Sequence, residues 1–300
     1  MNQYDRGEIV ESGGIIVIMS FLIGVLFYVA LKTFYFKDTE NLVYIFVLIS
    51  SILMVGFIGM IDDILGWKIG LGKRLRLALL LISAIPLMVI NAGDSRIMIP
   101  FINGTNLGLI YPLLIIPLGF VGATATYNFL AGFNGLEAGQ GVIILAGLSI
   151  VAWFMGNTWI TLIGLCMIAS LLAFLFFNVY PARVLPGDAL TYPVGALIAI
   201  FAILGNFEKV AVFFFIPYIA ETFLKLRGRL QKQSFGKPTK EGDLEMPYDK
   251  IYGLEHFSIW FLKKIKKNRK VYEKDVVRFI YLIQIIFVFV GIVLFKKSIF

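Results

Sequence analysis

Three polar stretches interrupt an otherwise apolar chain, and their side chains share one chemistry. The first is Ile61-Asp62-Asp63-Ile64-Leu65, two adjacent carboxylates followed by Lys68, Lys73, Arg74 and Arg76. Carboxylates and cations on one short turn offer ligands to both magnesium and phosphate. The plain alternative is a polar cap at a helix end with snorkelling basic residues. The second stretch carries Asn128, Asn134, Glu137 and Gln140, punctuated by Gly132, Gly135 and Gly139. Asn-Gly is a turn signal, and glycine lets backbone amides approach a ligand closely. The third runs from Asn178 through Tyr180-Pro181-Ala182-Arg183 to Pro186-Gly187-Asp188. Taken alone, an aspartate after such a turn is ordinarily a helix N-cap.

The elements that must position these groups are membrane helices. Hydrophobic residues make up 59% of the chain and charged ones 15%, with a mean hydropathy of +0.87 and 28 Phe in 300 residues, far outside the soluble range. The fold class expected is an all-α polytopic membrane bundle. Nine apolar runs reach or approach spanning length, at 14–34, 42–61, 75–91, 108–127, 141–155, 158–177, 191–205, 208–225 and 277–296. The fifth and seventh are short. No basic-then-apolar leader opens the chain. The lone Cys166 excludes a disulfide framework within one chain and reads as packing. Residues 1–300 form a single integral-membrane domain, in which 226–275 is a basic extramembrane insert.

Lysine and arginine set the orientation. With the N-terminus inside, Arg6, the 62–76 connection, Arg183 and the 225–278 segment face the cytoplasm, which is 21 of the 27 Lys and Arg. Lys32, Lys37, Arg96, Lys209, Lys296 and Lys297 remain outside. This asymmetry satisfies the positive-inside rule, so the net charge of +8 needs no nucleic acid to explain it. The run Lys263 to Lys270 is expected to face anionic lipid headgroups. The same parity brings all three polar loops to the cytoplasmic face. A transporter would instead place ionisable groups near the middle of its spans; here Glu208, Lys209 and Glu221 lie near span ends. His256 is expected to be an interfacial or capped histidine, and Asn103-Gly-Thr105 is a weak sequon on the outer side.

At these loops the sequence resembles the polyprenyl-phosphate N-acetylhexosamine-1-phosphate transferases, in particular the dolichyl-phosphate N-acetylglucosamine-phosphotransferase branch of eukaryotes and archaea. The matching strings are Asp62-Asp63, Asn128-Phe-Leu-Ala-Gly-Phe-Asn134-Gly-Leu-Glu137-Ala-Gly-Gln140 and Asn178-Val-Tyr-Pro-Ala-Arg183-Val-Leu-Pro-Gly-Asp188. Glu11-Ser12-Gly13-Gly14 and Leu244-Glu245-Met246-Pro247-Tyr248 extend the resemblance to nearly the whole chain. The bacterial muramoyl-pentapeptide branch carries a histidine cluster, which one histidine cannot supply. The resemblance implies the family's ten-helix bundle without its first helix and an active site on cytoplasmic loops of the cell membrane or the endoplasmic reticulum.

It also implies a reaction: transfer of N-acetylglucosamine 1-phosphate from UDP-N-acetylglucosamine to a polyprenyl (dolichyl) phosphate, with release of UMP, as the first step of lipid-linked oligosaccharide assembly for N-glycosylation. Another UDP-N-acetylhexosamine feeding a surface polymer is the nearest alternative, and a lipid-phosphate or nucleotide-sugar transporter the alternative of another class. By resemblance, Asn128 and Asp188 are the ligands of magnesium, or of manganese in its place. Asp62, Asp63 and Lys73 are the catalytic positions, with Lys68 and Arg74 alternatives to Lys73 because this loop is one residue longer. A phosphate monoester has a second pKa near ~6, so the acceptor gains little from a general base, and tuning of the metal site is an equal reading of the aspartate pair. Glu11 and Asn134 are carried over for uridine. Glu137, Asn178 and Arg183 complete the substrate-binding set with Arg227, Arg229 and Lys232, which stand where relatives have an Arg-His-Arg cluster. Relatives place an aromatic residue three before the metal-binding aspartate; here Leu185 supplies no stacking ring. The sequence is compatible with a monomer and with a homodimer.

Overall fold

The computed structural model describes residues 9–99, 102–232, 234–239, 241–266 and 270–296. Arg6, Lys267, Arg269 and Lys297 lie outside the described residues. Among the described residues, six helices are long and apolar enough to cross a membrane. They are α1 (Gly14–Ala30, continued by a π-helical turn to Tyr35), α2 (Leu42–Ile69), α6 (Leu136–Phe154), α7 (Thr158–Asn178), α8 (Asp188–Gly205) and α12 (Glu273–Leu294).

The other three expected spans are each built from two pieces. The third divides into α3 (Lys73–Ser83) and α4 (Ile85–Val89). The fourth is a π-helical turn, Tyr111–Ile115, running into α5 (Ile116–Tyr127). The eighth divides into α9 (Glu208–Phe214) and α10 (Ile216–Arg227). Prolines 86, 117 and 217 stand at the second position of the piece that follows each break. Proline lacks an N–H and its ring crowds the carbonyl four residues back, so the ladder is interrupted there. Hydrocarbon offers no water to a freed carbonyl. At the break between α9 and α10, the buried Gln284 of α12 donates its side-chain amide to the Phe214 carbonyl at 2.8 Å.

The fifth and seventh runs become full-length helices because they annex polar residues from the loops before them. α6 begins at Leu136 and takes in Glu137 and Gln140, and α8 begins at Asp188 itself. Candidate site residues therefore stand in first helical turns, where the backbone fixes them.

Helix α8 is the hub. It is 89% buried within the bundle, against 28% for α12 at the periphery, and it packs on α2 along one side and α5 along another. The connection between the third and fourth spans holds an antiparallel hairpin, β1 (Arg96–Ile99) with β2 (Ile102–Asn106), which periodicity did not announce. The 226–275 insert contains two short paired strands, β3 (Lys237–Pro238) and β4 (Leu244–Glu245), and one amphipathic helix, α11 (Leu254–Ile265).

Candidate active site

Asp62 and Asp63 occupy successive positions at the end of α2, roughly 100° apart around the helix, so they serve different neighbours. Asp63 faces the start of α8. Its Oδ1 accepts from the Asp188 amide at 2.8 Å and its Oδ2 from the Ala189 amide at 3.1 Å. A side chain on another helix thus does what an N-cap does, satisfying orphan amides at a helix start. Two glycines permit the approach. A Cβ on Gly187 would lie 2.2 Å from Asp63 Oδ2, and one on Gly59 would lie 2.4 Å from the Asp188 carbonyl oxygen. Gly187 also has φ of +69°, a conformation that disfavours other residues.

Asp62 is nearly buried and faces the loop that follows α2. Gly66, with φ of +75°, breaks the helix, and the chain wraps back so that the Leu71 amide donates to Asp62 Oδ1 at 2.7 Å. The Asp62 Oδ2 pairs with Arg76 Nη2 at 2.5 Å and accepts from the Tyr192 hydroxyl at 3.2 Å. Arg76 also lies 5.9 Å from the centre of the Tyr192 ring, and its buried Nε finds no partner among the described residues. Lys73, the basic residue singled out in this loop, is exposed at the first position of α3. The sequence names Arg76 only as one of four cations in this loop and gives no sign of Tyr192. One reads as another snorkelling cation and the other as an aromatic within an apolar run.

The N-terminal stretch completes this corner. The Leu185 amide donates to the Val10 carbonyl, and the Gly13 and Gly14 amides donate to the carbonyls of Leu185 and Pro186, each at 2.9 Å. Ser12 thereby reaches the Asp63 carboxylate, and the exposed Glu11 stands near enough for its charge to act there. Leu185, expected to lie where relatives stack a ring, is buried in this pairing.

The 128–137 turn is held from below. Glu137 is fully buried, and its Oε1 accepts from the Gly132 amide at 2.7 Å. The Tyr127 hydroxyl donates to the Glu137 carbonyl at 2.6 Å. Asn178 is buried too, donating from Nδ2 to the Val184 carbonyl at 2.9 Å while its Oδ1 has no partner among the described residues. These contacts make Glu137 and Asn178 struts of their loops. Asn128 and Asn134 are half-buried, and the Asn128 side chain takes up no hydrogen bond among the described residues. Arg183, Arg227, Arg229 and Lys232 are exposed, with the Lys232 ammonium 4.8 Å over the Tyr248 ring.

His256 is buried rather than interfacial, and it stands in the first turn of α11 as a capped histidine would. Its Nδ1 accepts from the Tyr252 amide at 3.3 Å, and burial pushes its pKa down to about 4. Beside it Glu255 is fully buried, and burial pushes its pKa up. Lys225 and Glu221 of α10 close the same cluster at 3.4 Å from each other, and Glu221 Oε2 accepts from the Leu254 amide at 2.6 Å.

Asp62, Asp63 and Asp188 thus converge at one end of the bundle, with Asp62 and Asp188 within hydrogen-bonding reach of each other. Glu11 adds a fourth carboxylate, against the single guanidinium of Arg76. A diphosphate approaching these carboxylates would meet like charge, which a bound cation would offset. Among the described residues, no three His, Cys, Asp or Glu side chains surround one point. That donor set fits magnesium, which takes one or two protein oxygens and fills its sphere from water and phosphate. The Asp188 carboxylate and the uncommitted Asn128 amide oxygen are such donors.

A helical membrane bundle with hard oxygen ligands, glycine-spaced turns and basic side chains on the same loops belongs to the class of enzymes that handle phosphates at a membrane surface. Residues 44–206 match glycosyl transferase family 4, and the chain belongs to that family. It is 33% identical, over 98% of this chain and 86% of the relative, to a putative UDP-N-acetylglucosamine–dolichyl-phosphate N-acetylglucosaminephosphotransferase of Saccharolobus solfataricus. An enzyme of the same name without the qualifier, from Dictyostelium discoideum, is 29% identical over 72% of this chain and 60% of its own length. A probable undecaprenyl-phosphate N-acetylglucosaminyl 1-phosphate transferase of Bacillus subtilis is 30% identical over 64% and 56%.

Proposed function

We propose that this chain transfers N-acetylglucosamine 1-phosphate from UDP-N-acetylglucosamine to a dolichyl or related polyprenyl phosphate at the cytoplasmic face of its membrane. The observation that carries the reading is the convergence of Asp62, Asp63 and Asp188 at one end of the bundle, in a chain alike over 98% of its length to a relative named for this reaction. An acceptor phosphate oxygen forms a bond to the β-phosphorus of the donor, the bond between that phosphorus and the bridging oxygen breaks, and UMP leaves with the bridging oxygen on its α-phosphate.

Both reactants are anions, so positioning and charge neutralisation are the main demands on the site. Asp188 and Asn128 would hold magnesium, or manganese, which when bound neutralises the diphosphate. Asp63 fixes the first turn of α8 and so aims Asp188. Asp62, pinned by Arg76 and the Leu71 amide, holds the loop that presents Lys73 to the phosphates. Arg227, Arg229 and Lys232, exposed at and just beyond the end of α10, would attract the donor. An apolar cavity of ≈370 Å³ between α5, α8, α9 and α10 offers room for part of the isoprenoid chain. Its nearest lining on α8, Ile198, is about 15 Å along the helix from Asp188.

The test is release of UMP from UDP-N-acetylglucosamine by purified protein given dolichyl phosphate, with chelator and with added Mg2+ or Mn2+. Release should vanish with chelator, return with either ion, and be lost in Asp188→Asn. Undecaprenyl phosphate and other UDP-N-acetylhexosamines, run in parallel, fix the lipid and the sugar. Absence of UMP together with wild-type behaviour of Asp188→Asn would favour a transporter.

A further inference from the structure

We infer that Glu273 and Tyr281 of α12 are positioning residues for the nucleotide, holding in place the turn that presents Asn134; the inference rests on the transferase reading above. Glu273 sits in the first turn of α12, and its Oε1 accepts from the Asn134 backbone amide at 2.6 Å. Two helical turns further on, the Tyr281 hydroxyl donates to the carbonyl of Gly135. The two contacts take one donor and one acceptor from adjacent residues of the turn, so together they fix its orientation as well as its place. Room for Tyr281 is built into the facing helix, since a Cβ on Gly139 would lie 1.9 Å from its hydroxyl oxygen.

The same end of α12 reaches a second loop. The Lys274 ammonium lies 4.9 Å over the ring of Tyr180, in the connection that leads to Asp188. Thus α12, which lies outside residues 44–206, joins two of the three polar loops from the edge of the bundle. An Asn-Gly turn has little rigidity of its own, and a displacement of about 1 Å in a binding group is enough to cost affinity. The carboxylate of Glu273 forms the charge-assisted contact of the two, the stronger kind.

Asn134 would hold uridine equally in the ground state and the transition state, so losing its support should raise KM for the donor and spare kcat. Glu273→Ala and Tyr281→Phe, assayed for UMP release, are each expected to raise KM for UDP-N-acetylglucosamine about tenfold, with KM for dolichyl phosphate within about twofold. Glu273→Gln, which keeps an acceptor oxygen, should fall between Ala and wild type. The phenylalanine variant retains the ring against Gly139 and guards against a folding defect in the alanine variant. UDP affinity, measured by calorimetry, should weaken in step. A fall in kcat at unchanged donor KM, or an equal rise in both KM values, overturns the inference. Wild-type protein that binds no uridine nucleotide overturns the transferase reading along with it. Wild-type binding that both variants match overturns this inference alone.

Discussion

At the scale of single residues, Asp63 gives both carboxylate oxygens to the first amides of α8. That commitment separates two explanations of its presence. A general base needs an oxygen free to take a proton, whereas a cap needs two acceptors held still. Asp63→Asn would turn one acceptor into a donor facing a backbone N–H, loosen the start of α8 and shift Asp188, at a cost of about 1–2 kcal/mol. The expected result is a rate at least about tenfold down at every pH, with a profile parallel to wild type. A rate that recovers as pH rises through the second pKa of the lipid phosphate, near ~6, would return the residue to the role of base. The three aspartates were legible in sequence because carboxylates at the ends of apolar runs are conspicuous. Arg76 was not, since four basic residues crowd one turn and only the fold shows which of them meets Asp62 at 2.5 Å. Glu137 and Asn178 stood out by type, but their burial depends on which way the first turns of two helices face.

At the scale of elements, the apolar runs gave the helices, and prolines marked where three of them break. What repairs a break was hidden, because Gln284 lies 70 residues from the carbonyl it serves. The insert was the least legible part. Its lone histidine sits inside a charged cluster formed by α10 and α11, which composition alone presents as a solvated basic segment. The cluster makes α11 docking sensitive to acid. The native pKa of His256 is about 4 against an ordinary 6.5, so a proton binds more readily once α11 leaves. The stabilisation from keeping His256 neutral is complete above pH 6.5 and is lost as pH falls towards 4. Glu255 acts in the opposite sense: its raised pKa favours the protonated native form, so acid relieves its strain on the fold. Comparing wild type with His256→Gln isolates the histidine, because Glu255, Glu221 and Lys225 are common to both. Relative to the variant, wild type should lose thermal stability between pH 6.5 and 4.5 in detergent; parallel curves would show that His256 does not titrate with docking.

At the scale of the whole molecule, the bundle has two chemically different ends. One gathers the aspartates, the 128–137 turn, the 178–188 loop and the start of α12, linked by direct contacts from Asp63 to Asp188, Asn134 to Glu273 and Lys274 to Tyr180. The other carries the β1–β2 hairpin and the chain between α1 and α2, where Lys32 is buried and paired with Asp38. Packing places these groups at opposite ends, and the positive-inside rule, applied to the Lys and Arg of the sequence, predicts that the site end faces the cytoplasm. A single cysteine makes this testable without a crowded background. With Cys166 replaced by Ser, cysteines placed one at a time at the exposed positions Lys73, Arg183 and Arg227 should react with an impermeant maleimide in sealed inside-out vesicles. Cysteines at Glu40 and Asn106, exposed at the other end, should react only in right-side-out vesicles. A complete exchange of the two patterns would turn the molecule over and move the donor site to the outside. A mixed pattern within the first set would be more damaging, since Lys73 and Arg183 border loops joined by the contact between Asp63 and the start of α8, and one rigid bundle cannot present them on opposite sides.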